Sequence, residues 1–444
     1  MSLSYIHLSD IHFGQEVGGT VFVHNDVKER LIDDVRDFVR GLPGQRADGI
    51  IVSGDIVYAG KPDEYDEAAI WLDRVAAAAG CLSTAIQVVP GNHDIDRVKI
   101  THMTRRALEE IATKGEAELD LILGQPLDRE MLYGRFEAYR PFAEAYGCPL
   151  DFEGGNAGAR IAEVAPNRLL RFIGLNTALI CGALKNEKGK LLLGARQRIV
   201  PMNPGEEVVL IAHHPLDWLQ DSNDAARYVR NRARVLITGH EHNPSVRVEG
   251  GRDGSDLLVL AAGATVPPEA TDNYNYAFSV LQFEWDAAAD GLRVIVNPRA
   301  WSDDDKMFRA DVQRAGGEQL TFNLGCPNFR RHPLAAPMES EVTSVARAIT
   351  VPDGPPAHRP EAAAEDAREG VDHVSDHFAV LRLRFFRDLS PGNRIAVLVK
   401  LRALPDDWSE MLTHPIEKRA LETFRDSGRL DELEHAINEV LENR

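Results

Sequence analysis

The chain is short of cysteine, of long apolar runs and of positive charge, and each shortage removes a class of function. Four cysteines, Cys81, Cys148, Cys181 and Cys326, are scattered through 444 residues without CxxC spacing, which argues against a disulfide framework and a cysteine-ligated zinc. They are expected to be reduced and structural. The longest uncharged stretch, Val75 to Asn92, is interrupted by Gly80, Ser83, Thr84, Gln87, Pro90 and Gly91, whereas a spanning helix needs about 20 mostly apolar residues. No membrane segment is expected. The N-terminal MSLSYIHLSDIHFG has no basic region followed by an apolar stretch, so no cleaved leader is expected and the predicted location is the cytoplasm. Lys and Arg number 50 against 69 Asp and Glu, a formal charge of -19. A broad nucleic-acid surface relies on a basic face that releases counterions, so that class is disfavoured. An anionic substrate would need a local cation.

What is present is 44% apolar residues, enough for a core, over a length that suggests two or three domains. From residue 1 to about 325, short β-branched runs alternate with helical patterns: YIHLSD, a helix near 26 to 40, GIIVSGD, a helix near 64 to 79, AIQVVPGNHD. This is the rhythm of an α/β fold. Residues 97 to 150 are charged and helix-favouring, which predicts a helical insertion. Strand patterns then return at closer spacing, as in a second sheet with antiparallel members. The expected architecture is a four-layer αββα sandwich of two mixed sheets with flanking helices, spanning 1 to 325. Residues 331 to 370 shift to Pro, Ala, Glu and Asp and predict a linker. Residues 374 to 444 predict a small all-α domain, with Ser390 and Pro391 at a helix start and Leu430, Leu433, Ile437, Val440 and Leu441 on one apolar face.

Five polar clusters fall at predicted strand ends: Asp10 and His12 in SDIH, Asp55 in SGDIV, Asn92 and His93 in GNHD, His213 and His214 in AHHP, and His240 and His242 in GHEH. Ligand sites of open α/β sheets gather at the carboxyl ends of strands, so these clusters could converge. Carboxylate, imidazole and amide oxygen suit Mn, Fe, Zn, Co or Ni. With more than four candidate ligands, two ions are expected rather than one.

The ordered set DxH, GD, GNHD, a histidine after a strand, and GHxH resembles the calcineurin-like metallophosphoesterase family over about residues 3 to 300. The resemblance implies a first metal held by Asp10, His12, Asp55 and His242, and a second held by Asp55, Asn92, His213 and His240, with Asp55 bridging. The ions, divalent or trivalent and by this reading Mn or Fe, would clamp a phosphoryl group and activate a bridging hydroxide. They would also supply the local cation. By the same resemblance His93 contacts phosphate and protonates the leaving oxygen, while Asp94 orients His93 or a ligand. The pattern favours His213 over His214 as ligand, with His214 left as a substrate or supporting contact. His373 and His377, at helical spacing, are expected on a solvated face.

The segments GDIVYAG and GNHD lack the GDxVDRG and GNHE of serine/threonine phosphatases, which disfavours a protein phosphatase. Tyr58 completes GDxxY, as in purple acid phosphatases, but His12 takes the place of their DxG glycine, so Tyr58 is expected in packing or substrate contact. HLSDIHFG, SGDIVYAGKPDEY and VVPGNHDIDR look most like the bacterial cyclic-nucleotide-phosphodiesterase-like group. The expected activity is hydrolysis of a nucleotide-like or other small phosphodiester. A nuclease on DNA or RNA and a non-catalytic metal-binding scaffold are the alternatives. The insertion and the loop at 176 to 193 would wall the site, with Asn176 read as a substrate contact or a turn residue. The C-terminal segment resembles the effector-associated adaptor domains of bacterial conflict systems, which implies a protein partner; self-association or a stabilising appendage is the plainer reading.

Overall fold

The computed structural model describes residues 2–330, apart from 17, 19, 251–254 and 268–274, and residues 376–442, apart from 409–411. The linker expected at 331 to 370 lies outside the described residues, as does His373. Two mixed sheets carry the fold, with helices flanking them.

The first sheet runs through β1 (Ser2–Leu8), β2 (Gly49–Val52) and β3 (Ile86–Val88), which are parallel, and continues on the other side of β1 with antiparallel β10 (Ala277–Asp286), β11 (Gly291–Ser302) and β12 (Met307–Ala310); β13 (Leu320–Gly325) also pairs with β11. The second sheet has the order β4 (Ala159–Ala165), β5 (Arg168–Gly174), β6 (Glu206–Ile211), β7 (Ala233–Thr238), β9 (Leu257–Ala261), β8 (Ser245–Glu249), with β5, β6, β7 and β9 parallel.

Strand residues alternate between two burial environments, the period-2 pattern of a sheet covered on both faces. Leu3, Tyr5, Ile51, Val209 and Ile211 point into the layer between the sheets, where they meet Phe172 and Phe283. The Tyr5 and Phe172 ring centroids lie 4.9 Å apart and those of Phe172 and Phe283 5.8 Å apart. Ile6, Leu8, Ile50, Val52, Val208 and Leu210 face outward into the core beneath the helices.

Helices α1 (Thr20–Val39) and α2 (Pro62–Ala79) pack on the first sheet through Val27, Leu31, Val35, Leu72 and Val75. The start of α2 is fixed by Pro62 in its first turn and by Glu64, whose carboxylate accepts from the Lys61 backbone N–H at 3.0 Å, a pairing that satisfies an otherwise orphaned donor. The insertion is helical, as expected: α3 (His102–Lys114), α4 (Glu116–Gly124), α5 (Pro126–Tyr133) and α6 (Tyr139–Ala145). A short α7 (Ala195–Arg198) and α8 (Ser222–Arg232) flank the second sheet, and α9 (Val312–Ala315) precedes β13.

The C-terminal helices are α10 over 376–388, α11 (Pro391–Lys400), α12 (His414–Asp426) and α13 (Leu430–Glu442). Ser390 caps α11 by accepting from Asn393 N–H, and Leu430, Leu433 and Ile437 are buried. These helices dock on the catalytic body. Their apolar residues join the same contiguous core as α2 and α6, Arg387 reaches Asp73 at 2.8 Å, and His414 meets Glu144 at 3.3 Å.

Candidate metal centre at the seam of the two sheets

The ends of parallel strands β1, β2 and β3 meet the ends of β6 and β7 at one edge. In-register pairing of β1 with β2, Leu8 opposite Val52, brings the loops that follow into contact. Asp10 N–H donates to Gly54 C=O at 3.0 Å, and Ile11 and His12 N–H both donate to Asp55 C=O at 2.8 and 3.1 Å. Across the seam, Gly239 N–H donates to His213 C=O at 2.9 Å. Gly91 has no room for a side chain, because a Cβ there would lie 2.2 Å from Asp55 Oδ1.

Seven side chains named from the sequence converge here. His12 Nε2 lies 3.4 Å and His213 Nε2 3.2 Å from Asp55 Oδ2. His242 Nε2 lies 3.1 Å from Asp10 Oδ1. His213 Nε2 is 3.2 Å from both Asn92 Oδ1 and His240 Nδ1. Asp10, His12 and His242 form one set of donor atoms close enough to share an ion; Asp10, Asp55 and His213 form a second. Asp10 and Asp55 are buried, and among the described residues neither has a lysine or arginine partner. Two buried carboxylates without a permanent counter-cation are costly, and the Asn92 amide oxygen and the His213 imidazole face the same space. This donor set fits divalent metal.

The backbone is also unusual. Asp10, His12, Asp55, His240 and His242 all hold positive φ, between 52° and 71°. L-residues adopt this region rarely, at a cost of order 1–3 kcal/mol each in sites where strain is retained.

Charge sets the protonation pattern of the metal-free cluster. Burial opposes charge on the His213 imidazole, but Asp55 outweighs it and raises the ring to about 9. His240 goes the other way, to about 4, through burial and the neighbouring His213. The Asp55 carboxyl is held well below its ordinary range, with His213 and His12 overcoming its burial.

His93 borders the cluster. Its backbone N–H donates to Asp55 Oδ1 at 2.7 Å, its Nδ1 lies 2.8 Å from Tyr58 C=O, and its ring stacks on Tyr58 with centroids 5.0 Å apart. Asp94 does something different from orienting His93. Its carboxylate accepts from Gly91 N–H at 2.8 Å, from Ile56 and Val57 N–H at 3.2 and 3.3 Å, and from Tyr65 O–H at 3.0 Å. It braces the Asp55 loop, and no bond joins it to the His93 ring. Burial, with Asp55 adding to it, pushes the Asp94 carboxyl up to about 7.

His214 is fully buried behind the cluster, with Nδ1 2.9 Å from Thr177 Oγ1 and its ring 4.5 Å from that of His240. Asn176 is buried as well; its side-chain oxygen accepts from Ala178 N–H at 3.1 Å. That is the turn role, one of the two expected of Asn176. Tyr58 remains 45% exposed.

Residues the motifs did not signal complete the setting. Ser9 Oγ–H donates to Asp10 Oδ2 at 2.5 Å. Trp218 sets its ring edge-on to His240, 4.1 Å between centroids, and donates Nε1–H to Glu241 at 3.2 Å. Val266 C=O lies 3.3 Å from His12 Nδ1 and so holds that ring's tautomer.

Residues 3–244 match the model of the calcineurin-like phosphoesterase family. The chain belongs to that family. Membership supports a phosphoric ester hydrolase that uses divalent metal. The uncharacterized metallophosphoesterase-like protein YydB of Bacillus subtilis is 24% identical over 356 residues, 77% of this chain and 68% of that one. The glycerophosphodiester phosphodiesterase GpdQ of Enterobacter lignolyticus is 36% identical over 88 residues, 20% of this chain and 28% of that one. Purple acid phosphatase PPD1 from yellow lupin aligns over 76% of this chain and 57% of its own, with 12% identity and a TM-score of 0.40. Residues 378–439 match the model of the GTPase-associated adaptor domain, in agreement with the adaptor resemblance of the C-terminal segment. No helix among the described residues is long and apolar enough to cross a membrane.

Proposed function

We propose that this phosphoesterase is a two-metal phosphodiesterase acting on a small, nucleotide-like diester. The observation that carries the reading is the pair of buried carboxylates, Asp10 and Asp55, with no lysine or arginine partner among the described residues and ringed by Asn92 and four histidines within hydrogen-bond range. Asp10, His12, Asp55 and His242 would hold one ion, and Asp55, Asn92, His213 and His240 the other, with Mn or Fe the best-suited metals. When bound, such a pair supplies positive charge that polarises the phosphoryl group and acidifies a water.

The chain's own residues do the rest. His93, with Nδ1–H donated to Tyr58 C=O, presents Nε2 as the atom that passes a proton to the departing oxygen. Asp94 keeps the Asp55 loop in place through its bonds to Ile56 and Val57. Preference for a diester is supported by side chains that could seat organic groups on both flanks: Tyr58 and Val98 beside His93, Trp218 beside His240. It is also supported by the partial likeness to GpdQ, whose name describes a diester substrate. The adaptor segment would bring the enzyme to a protein partner.

The test is hydrolysis of bis(p-nitrophenyl) phosphate by chelator-stripped protein. Added Mn should restore turnover, Asp55→Asn should abolish it, and p-nitrophenyl phosphate should be the poorer substrate. Turnover that is indifferent to chelation or to Asp55→Asn would sink the proposal.

A further inference from the structure

Beside the cluster lies a pocket of about 150 Å³ lined by Tyr58, Ala59, Lys61, His93, Asp96, Arg97 and Val98. Its position identifies its use, given the role proposed for His93. The Tyr58 carbonyl can only accept, so the His93 nitrogen 2.8 Å from it carries the proton and Nε2 is left to exchange protons with substrate. A donor must come within about 3 Å of the oxygen it protonates. Whatever is attached to that oxygen therefore occupies the space that His93 borders, which is this pocket.

The lining states what would fit. The Tyr58 and His93 rings form a stacked pair, nearly half of Tyr58 is open, and Val98 is 83% exposed beside it. Such a wall suits a flat ring. The pocket's two cations differ in kind. The Lys61 ammonium is committed to Asp96 at 2.7 Å, and Asp96 is itself held by Val98 N–H at 3.0 Å. Arg97 has no carboxylate within 4.0 Å among the described residues; its guanidinium makes only a 3.5 Å contact with Asn92 C=O. In a chain of formal charge -19, an uncommitted guanidinium at the mouth of a phosphoesterase site is a place for an anion, because its planar fork matches phosphate or carboxylate oxygens.

We propose that Arg97 and Tyr58 determine specificity on the leaving side, selecting a diester whose departing group carries both a flat ring and its own negative charge. This rests on the phosphodiesterase reading. A diphosphate diester bearing two nucleosides meets the description. Water attacks one phosphorus and forms a P–O bond, the bridging P–O bond breaks, and its electron pair stays with the bridging oxygen. The OH of water ends on one nucleoside monophosphate. Its remaining H ends on the other through His93, and Arg97 pairs with the departing phosphate.

Three probes separate the two features when turned over by the Mn-loaded full chain: diadenosine diphosphate (ring and charge), bis(p-nitrophenyl) phosphate (ring only) and P1,P2-diethyl diphosphate (charge only). Diadenosine diphosphate should have the highest kcat/KM relative to its uncatalysed rate. Arg97→Ala should lower kcat/KM for it at least ten-fold more than for bis(p-nitrophenyl) phosphate, mainly through KM, and Arg97→Lys should recover part of the loss. Tyr58→Leu should cost it at least five-fold more than diethyl diphosphate. Lys99→Ala, which removes a nearby ammonium engaged with Glu137, should leave these ratios alone. AMP titrated into the protein should bind at least ten-fold more weakly to Arg97→Ala. Equal losses across the probes, or AMP binding indifferent to Arg97, overturn the leaving-side assignment while the phosphodiesterase reading stands. Hydrolysis of none of the three overturns both.

Discussion

At the scale of single residues, neighbours in sequence proved to have unlike work. His93 and Asp94 are adjacent, yet one ring lines the pocket and the other side chain turns inward to hold backbone. His93→Ala should therefore keep full metal content by elemental analysis while turnover falls about 100- to 10,000-fold, the usual worth of a positioned proton donor; unchanged turnover would remove His93 from its proposed role. The motif residues could be read from sequence because carboxylates and imidazoles at strand ends have few other reasons to recur in that order. For Asp94 the sequence left two partners open, His93 or a ligand, and its carboxylate bonds to the Asp55 loop, since only the fold decides where a carboxylate's oxygens point. Trp218 gave no signal at all, and Arg97 ends the VVPGNHDIDR phrase without being marked out in it. A tryptophan five residues past His213 and an arginine at the start of a short 3-10 turn are ordinary until a third element is laid against them.

At the scale of elements, the insertion supplies a brace that composition could not reveal. Arg135 is 1% exposed, its pKa drawn down to about 10 by burial, and its guanidinium donates to the carbonyls of Leu132, Leu179 and Cys181. It thereby ties the end of α5 to the turn that carries Thr177 and supports His214. Arg135→Met would strand these buried carbonyls, at about 1–3 kcal/mol per unsatisfied group. Denaturant unfolding should show a loss of about 3 kcal/mol or more, and Arg135→Lys should not rescue it, because an ammonium cannot fan out to three acceptors as a guanidinium does. Helix and strand positions were largely legible from apolar periodicity: the expected helices near 26 to 40 and 64 to 79 correspond to α1 and α2. The earlier start of α1, at Thr20, was not, because Phe22 and Val23 are exposed and break the amphipathic pattern there.

At the scale of the whole molecule, the C-terminal helices meet the catalytic body through a titratable contact. Burial opposes charge on the His414 imidazole, but Glu144 and Glu417 outweigh it and raise the ring above its ordinary 6.5. Glu144 is held below its ordinary 4.5 because His414, Lys418 and Arg382 overcome its burial. Arg140 faces the same contact and opposes the charged imidazole. The sign follows for each partner: the His414 share of the docking energy is complete below 6.5 and is lost as pH rises through the elevated value, whereas the Glu144 share is complete above 4.5 and is lost on acidification. Docking should be firmest between about 4.5 and 6.5. Hydrogen exchange of α12 amides, corrected for intrinsic rates, should show protection falling from pH 6 to pH 8, and His414→Gln should flatten that slope. Metal should act on the whole body too. The proposed ligands come from both sheets, so loading should raise the unfolding temperature and chelation lower it. The docking was not legible in sequence, since an amphipathic pattern marks a face and leaves its partner open.

The left-handed backbone at residues 10, 12, 55, 240 and 242 sets two kinds of selection against each other. Glycine or asparagine at any of these positions would relax the local chain, so a library screened only for heat resistance should drift toward them. The hardiest descendants of such a screen would keep the sandwich and forfeit turnover, and an engineer seeking a tougher enzyme should hold these five codons constant and look for gains elsewhere.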